Sequence, residues 1–143
     1  MRDIAVICGP TAAGKSAIAM AIAREIGADI VSADSRQVYR GFDIGTAKPT
    51  LEDQQAVPHH GLDVIEPTER YSAARWVSDA HEWLQSADAS KRRALGAGGT
   101  GFYLKALAEP LFAAPPMDES ARSEVQSALA VLSTDELRAR CHS

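Results

Sequence analysis

The hydrophobic and polar positions at the start of the chain follow two different periods. Residues 3–10, DIAVICGP, form a short β-branched apolar run that ends in Gly-Pro, which predicts a buried strand followed by a loop. Residues 15–27, KSAIAMAIAREIG, place Ala and Ile at helical spacing and end at Gly27, a residue type common at helix ends. A strand, a glycine-containing loop and a helix in this order predict the first βα unit of a parallel sheet.

The middle of the chain combines short apolar runs with a long polar stretch. Residues 28–35, ADIVSADS, predict a second strand, and residues 61–67, GLDVIEP, indicate a third short strand that ends at Pro67. Between these runs, residues 34–60 have weak periodicity and several Gly and Pro residues. This pattern predicts a long loop that can include short helical turns, and loops of such length in compact domains are commonly functional.

A single apolar stripe predicts a helix from residue 72 onwards, with Ser72 as its N-cap. The stripe consists of Ala73, Trp76, Val77, Ala80, Trp83, Leu84 and Ala87. We interpret it as a packing face and not as an aromatic binding site. Residues 93–111, RALGAGGTGFYLKALAEPL, then predict a weak strand, a glycine turn and a short helix carrying Phe102, Leu104 and Leu107. The strand has little β-propensity, so we expect marginal stability.

The pattern changes beyond Pro115 and Pro116. The remaining residues predict two amphipathic helices, the second of which begins at Ser133 with Glu136 three residues later. This spacing is that of a capping box.

Composition and charge narrow the class of protein. The 143 residues suffice for about one domain, 45% of them are hydrophobic and 24% are charged. We find no apolar run long enough to span a membrane and no export leader, so we expect a cytoplasmic protein without a membrane partner. Its two cysteines predict reduced thiols. The net charge of -4 argues against a surface that is basic throughout, and the basic run at residues 91–93 is interpreted as a solvated turn.

Residues 9–16, GPTAAGKS, match G-x-x-x-x-G-K-[ST] at every fixed position, between a predicted strand and a predicted helix. Such a phosphate loop curls backbone N–H groups around an anion at a helix N-terminus. Lys15 supplies an ammonium group, and the Ser16 hydroxyl can bind Mg²⁺. The motif does not specify which molecule carries the bound phosphate. ATP would indicate a small-molecule kinase or NTPase, whereas a small organic diphosphate would fit the same amides.

Two aspartates are candidates for a second acidic group at the site. Asp63 follows the predicted loop, and Asp34 lies at the carboxyl end of the second strand, where open α/β sheets bind ligands. Asp34 could hold a metal or could accept a proton from a nucleophile. The adjacent His59 and His60 are interpreted as structural residues.

Five blocks in fixed order carry a resemblance to a known family: GPTAAGKS, VSADSRQVYRGFDIGTAKP, HHGLDVIEP, YSAARW and GGTGFYLKAL. Together they resemble the tRNA dimethylallyltransferase, or tRNA isopentenyltransferase, family, most specifically over residues 9–107. The resemblance implies a P-loop NTPase-like α/β fold, a parallel sheet with flanking helices. It assigns residues 1–114 to this core and residues 115–143 to the start of an inserted helical domain that binds tRNA.

The resemblance also implies an activity, a cofactor and partners. The family transfers a dimethylallyl group from dimethylallyl diphosphate to N6 of the adenosine 3′ of the anticodon, with Mg²⁺. Its implied partners are therefore tRNA, through the anticodon stem-loop, and dimethylallyl diphosphate, and full-length members are expected to be monomers. The departing diphosphate would be stabilised by the phosphate loop as negative charge develops on it.

Individual residues receive roles from the same resemblance. Asp34, Thr100 and Lys15 are the implied catalytic residues, with Asp34 taking the proton of the attacking amine and Thr100 placing that amine. The diphosphate would be bound by Gly9, Pro10, Thr11, Ala12, Ala13, Gly14, Lys15 and Ser16. The tRNA would be contacted by Asp34, Ser35, Arg36, Gln37, Thr100 and Arg122. Two alternatives to contacts stay open, since Ser35 and Gln37 could cap the following turn and Arg122 could be a solvated charge.

Family members are considerably longer than this chain, and the C-terminal portion of their fold, including an arginine-rich segment, has no counterpart in it. We therefore expect weak or absent activity from these 143 residues alone. Three alternatives remain: an adenylate isopentenyltransferase, a P-loop small-molecule kinase and a binding fragment without catalysis.

Overall fold

The computed structural model describes residues 4–109 and 118–141. Two compact units divide the chain, Met1–Leu111 and Phe112–Ser143. The predicted boundary between residues 114 and 115 lies outside the described residues, and the assignment of the second part to a tRNA-binding domain stays a prediction.

The first unit is a parallel four-stranded sheet with flanking helices, which confirms the predicted fold class. Its strands are β1 (Ala5–Cys8), β2 (Ala28–Ser32), β3 (His59–His60) and β4 (Arg93–Gly98). Its helices are α1 (Lys15–Ile26), α2 (Leu51–Ala56), α3 (Ala73–Ala89) and α4 (Gly101–Ala108). The strand order is β1-β4-β2-β3, so the carboxyl ends of β1, β4 and β2 are adjacent at one edge of the sheet.

The first strand and helix lie where the sequence predicts them, and Gly27 caps α1 in the left-handed conformation. The predicted burial of β1 is wrong. Val6 and Cys8 are exposed, because β1 pairs through β4 alone among the described residues and so lies at the edge of the sheet. Position within a sheet depends on pairing between distant residues and is not encoded in the local pattern.

The third strand is displaced from its predicted position. It is His59–His60 and not residues 61–67. Gly61 turns the chain with a positive φ of 81°, and a Cβ on it would lie 2.9 Å from Ser32 O. After this turn, the segment hydrogen-bonds to the loop that follows β2, with Val64 N donating to Val38 O at 2.7 Å.

The core lies on both faces of the sheet. On one face, α3 packs against β2 through the predicted stripe, of which four residues are buried: Ala73, Trp76, Ala80 and Ala87. Tyr103 and Ala106 of α4 join the same core. This burial confirms the packing interpretation, and Trp76 Nε1 also donates to Ser32 O at 3.1 Å. On the other face, α1 packs Ala19 and Ala23 against Ile30 and Leu95.

The weakly predicted strand β4 occupies an inner position of the sheet, between β1 and β2. Its small residues allow close approach of the neighbouring backbone. A Cβ on Gly98 would lie 2.2 Å from Ala33 O, well inside the distance at which atoms clash. The low β-propensity of β4 is therefore a requirement of its position, while the marginal stability expected from it stays a prediction.

The second unit contains α5 (Glu119–Ala130) and α6 (Thr134–Cys141). Asp118 caps α5 by accepting from Ala121 N at 2.8 Å. Ser133 and Glu136 exchange hydrogen bonds before α6, which confirms the predicted capping box. In neither of the described parts of the chain does a helix combine the length and apolar character needed to cross a bilayer.

Candidate functional site

The phosphate loop, residues 9–16, connects the carboxyl end of β1 to the start of α1. Gly14 is the N-cap of α1, with a positive φ of 78°, and its position provides no side-chain cap for the helix. The first N–H groups of a helix have no partner within it, so they remain available to an anion at this end. The local backbone is therefore suited to hold a phosphate group.

Lys15 and the glycine turn after β4 lie against this loop. The ammonium of Lys15 donates to Pro10 O at 2.7 Å. A Cβ on Gly99 would lie 3.6 Å from Gly9 O and 3.9 Å from Lys15 Nζ. The turn that leads to Thr100 is thus in contact with the loop that would hold a diphosphate.

The carboxyl ends of β2 and β4 are joined through Thr100. Its Oγ1 accepts from Ser35 N at 2.9 Å, and its own N–H donates to Ala33 O at 3.0 Å. Asp34 stands between these two contacts, and its Oδ1 accepts from Arg36 N at 2.9 Å. The Arg36 N–H thus holds the Asp34 carboxylate, and the residues on either side of Asp34 are bonded to Thr100.

The other predicted site residues have different surroundings. Arg36 is exposed, while the amide of Gln37 is buried, accepting from Ser32 Oγ at 2.8 Å and donating to Thr46 O at 3.0 Å. Gln37 therefore braces the loop internally, through residues nine and ten positions further on and not as a cap of the turn after β2, and its contact with tRNA stays a prediction. Arg122 lies on α5 in the second unit.

Asp63, the second acidic candidate, is occupied by an ion pair. Its Oδ1 lies 2.7 Å from Lys48 Nζ. This lysine was not singled out in the sequence, because its partners are scattered along a polar loop where an isolated lysine is usually solvated.

Two stacked aromatic residues, Tyr103 and Trp76, lie near Asp34. Tyr103 of α4 stacks on Trp76 with ring centroids 4.9 Å apart. Burial raises the pKa of Tyr103, and the nearby Tyr39 and Asp34 raise it further. Tyr103 thus stays a neutral phenol near the Asp34 carboxylate. Tyr103 could have been found from the sequence, because it lies three residues after Thr100 on the inward face of the short helix.

Residues 4–109 and 118–141 contain no group of three or more His, Cys, Asp or Glu that could hold an ion. His59 Nδ1 contacts Val57 O at 2.7 Å, and His60 Nε2 lies 3.1 Å from Asp29 Oδ2. Both histidines thus have structural partners.

Cavities border the sheet at both ends of its strands. One of about 140 Å³ lies beside the phosphate loop and is lined by Ser16, Gln37 and Lys48 among others. Another, of about 690 Å³, lies at the amino ends of the strands, against Ala5, Ile26 and Leu95. Phosphate ligands of open α/β sheets bind at carboxyl ends, so the smaller cavity adjoins the candidate site.

Comparison with known sequences relates the chain to proteins named as tRNA dimethylallyltransferases. The IPP transferase family profile matches residues 37–143, and the isopentenyl transferase profile matches residues 2–64. A tRNA dimethylallyltransferase of Anaeromyxobacter sp. is 48% identical over 140 residues, which is 98% of this chain and 47% of the relative. A tRNA dimethylallyltransferase of Hydrogenovibrio crunogenus is 48% identical over 122 residues, which is 85% of this chain and 38% of the relative. The chain spans about half the length of the curated relatives it matches.

Solved structures agree on the fold. The full-length tRNA isopentenylpyrophosphate transferase of Bacillus halodurans superposes with a TM-score of 0.73 at 33% identity, over 97% of this chain and 46% of that one. A eukaryotic dimethylallyltransferase acting on tRNA gives a TM-score of 0.74 at 24% identity, over 82% of this chain and 30% of that one. This likeness supports the fold alone.

Proposed function

The chain belongs to the IPP transferase family, and on that premise we propose that it carries the donor loop and the acceptor-side residues of a tRNA dimethylallyltransferase. The reaction transfers a dimethylallyl group from dimethylallyl diphosphate to N6 of the adenosine 3′ of the anticodon in tRNA. The supporting observation is that one turn touches both sides of the site. Gly99 lies against the phosphate loop, and the next residue, Thr100, binds Ser35 beside Asp34.

The proposed chemistry divides between the two sides of the site. On the donor side, the N–H groups of residues 11–16 and the Lys15 ammonium stabilise the negative charge of the departing diphosphate. The bond between the allylic carbon and the diphosphate oxygen breaks, and the oxygen keeps the electron pair. The adenosine nitrogen forms the new bond to that carbon.

On the acceptor side, the Asp34 carboxylate takes the proton that the adenosine nitrogen loses, and the Thr100 hydroxyl orients the amine. An exocyclic adenine amine is a weak nucleophile, so a carboxylate within hydrogen-bonding reach assists the attack. The target base has to leave its stack to reach this position. Ser35, Arg36 and Gln37, with Arg122 from the second unit, are the proposed tRNA-contacting residues.

Magnesium is the proposed cofactor. The exposed Ser16 hydroxyl at the start of α1 would be the protein ligand, and substrate oxygens and waters would supply the other donors. This donor set fits Mg²⁺, which commonly binds few protein groups together with substrate phosphates. When bound, the ion neutralises charge on the diphosphate.

A binding titration tests the donor half of the proposal on the 143-residue chain itself. We expect saturable, Mg²⁺-dependent binding of pyrophosphate and of dimethylallyl diphosphate, weakened about tenfold or more by Lys15→Ala because charged hydrogen bonds to phosphate are strong. Lys91→Ala removes the same charge from the turn before β4 and serves as the control. Absent binding, or equal loss in both variants, would overturn the donor assignment.

Product analysis tests the acceptor half. The chain is incubated with Mg²⁺, dimethylallyl diphosphate and an anticodon stem-loop, and adenosine carrying one added dimethylallyl group is sought by mass spectrometry. A rate below that of a full-length relative is expected, since the chain spans about half of such a protein. Asp34→Asn should abolish the product and leave diphosphate binding intact. An undiminished rate in Asp34→Asn would contradict the role of Asp34.

The same assay separates the alternatives. Prenylation of free adenylate in place of RNA would select an adenylate isopentenyltransferase. Phosphoryl transfer from labelled ATP to a small acceptor would select a kinase. Diphosphate binding without modification of any acceptor would select a binding fragment.

The proposal includes a cytoplasmic location and a monomeric state. Both suit an enzyme whose substrate is tRNA. Cell fractionation and sedimentation at micromolar concentration test them, and a membrane-bound or dimeric protein would contradict them.

A further inference from the structure

Lys48 has an ammonium group enclosed by oxygen atoms. Its side chain is 3% exposed, and Nζ lies 2.9 Å from Tyr39 O, 2.8 Å from Asp43 Oδ1 and 2.7 Å from Asp63 Oδ1. Three oxygen partners match the three N–H donors of an ammonium. A buried charge with complete partners is costly to disturb, so the geometry around Lys48 is well defined.

The partners of Lys48 come from two segments. Tyr39 and Asp43 belong to residues 39–48, here named the braced loop, which follows Asp34 and its neighbours. Asp63 belongs to the turn after β3. Lys48 therefore ties the braced loop to the carboxyl end of the third strand.

Gln37 holds the same loop from its other side. Its Nε2 donates to Thr46 O at 3.0 Å and to Ala47 O at 3.1 Å, while its Oε1 accepts from Ser32 Oγ. The loop is thus anchored to β2 as well. The Gln37 anchor lies three residues after Asp34.

The braced loop presents apolar side chains outward. Phe42 is 45% exposed and Ile44 is 98% exposed, and the Phe42 ring lies 5.5 Å from that of Tyr39. An exposed ring on a loop fixed by buried polar contacts is suited to stack with an unpaired base, since every base has a π-face. The exposed Arg36, three residues before Tyr39, can contact phosphate.

Lys48 also affects the charge of this surface. Its ammonium offsets one of the two negative charges of Asp43 and Asp63, which reduces the repulsion of RNA phosphates at this surface.

We propose that Lys48 is a positioning residue that holds the braced loop as a fixed contact surface for RNA beside the acceptor base. This inference rests on the proposed function. Lys48 acts through the loop and is not itself a contact to substrate.

The test compares Lys48→Met, Lys48→Arg and Lys91→Met in the 143-residue chain. Lys91→Met removes an equal charge at the opposite end of the sheet, before β4. Each protein is titrated with an anticodon stem-loop RNA and, separately, with Mg²⁺ and pyrophosphate. Amide hydrogen exchange of the braced loop is measured in parallel.

Lys48→Met should weaken RNA binding about tenfold, because buried hydrogen bonds to charged groups are lost, and leave pyrophosphate affinity within about twofold. Exchange should accelerate within the braced loop. Lys48→Arg should recover most of the RNA affinity, and Lys91→Met should behave as the unsubstituted chain. This pattern supports the inference.

Three results overturn it. RNA binding by Lys48→Met equal to that of the unsubstituted chain would show that the loop is not an RNA contact. Parallel loss of RNA and pyrophosphate binding would reduce Lys48 to a general structural role. Pyrophosphate binding without any RNA binding by the unsubstituted chain would reject this inference and leave the donor half of the proposed function standing, whereas absence of both would reject the two together.

Discussion

The backbone N–H of Ser35 donates to the side chain of Thr100 at 2.9 Å, across 65 positions of sequence. The bond joins the residue that follows Asp34 to the residue that begins α4. Because Thr100 N also donates to Ala33 O, the two loops are fastened on both sides of Asp34. The carboxyl ends of β2 and β4 are therefore held as one surface.

Thr100→Val tests this link. Valine keeps the shape of threonine and removes the acceptor, so the Ser35 amide loses its partner, at a cost of about 1 kcal/mol in the free energy of unfolding. We expect faster hydrogen exchange of the Ser35 amide by NMR. Thr100→Ser retains the hydroxyl and should preserve protection. Unchanged Ser35 exchange in Thr100→Val would contradict the link.

Gly98→Ala should destabilise the sheet strongly. The added methyl group would lie 2.2 Å from Ala33 O, so the inner strands would have to separate, at a cost of about 3 kcal/mol on the scale of overpacked cores. Gly101→Ala is the matched control, since its Cβ meets nothing within 4 Å and alanine favours the helix α4. Urea denaturation measures both. Equal stability of the two variants would refute the packing argument.

The elements that depend on neighbouring residues were predictable from the sequence. The periodicity of α1, the cap at Ser72 and the stripe centred on Trp76 all depend on residues within a few positions of each other. The phosphate loop was predictable for the same reason. Local interactions favour these features, so the residues within a few positions suffice to predict them.

Features that depend on distant residues were not predictable from pattern. β3 has two residues, too few for any periodicity, and its end is set by the approach of Gly61 to Ser32. The ion pairs of Lys48 link residues up to 15 positions apart. The proximity of Asp34 and Thr100 was reached only through resemblance, because sequence spacing carries no distance information across a sheet.

Arg92→Met should destabilise the amino ends of the strands. Asp29, 7% exposed at its side chain, accepts from Arg92 Nε and contacts His60 Nε2 at 3.1 Å. Loss of Arg92 leaves a buried carboxylate with one partner fewer. We expect a loss of about 2 kcal/mol, because the half-exposed guanidinium is partly screened and His60 remains.

Arg93→Met is the control for that experiment, as a neighbouring arginine that is exposed, with an expected effect within about 0.5 kcal/mol. Chemical denaturation of both variants gives the comparison. Pyrophosphate binding should be unchanged in each, since the Asp29 cluster lies at the opposite end of the sheet from the phosphate loop. Similar stabilities for the two variants would show that Asp29 does not depend on Arg92.

His59 should make the stability of the chain fall in mild acid. Burial lowers the pKa of His59 below its ordinary value of 6.5, and this effect outweighs the opposing hydrogen bond to Val57 and the charge of Asp53. As pH falls through 6.5, the unfolded chain binds the proton before the folded chain does, so the free energy of unfolding decreases. The decrease ends once pH is below the folded pKa, where both states are protonated.

Carboxylates add a separate loss at lower pH. Hydrogen bonds from Thr50 lower the pKa of Asp53 below 3.8, and those from Ser133 lower that of Glu136 below 4.5. Urea unfolding is therefore measured at several pH values between about 7.5 and 5. This range brackets the ordinary pKa of histidine and lies above those of the carboxylates, so it isolates the histidine effect. His59→Gln should flatten the dependence in this window, because glutamine does not titrate. An identical slope in His59→Gln, or a chain that gains stability as pH falls, would show that the neutral, buried imidazole of His59 is not the source.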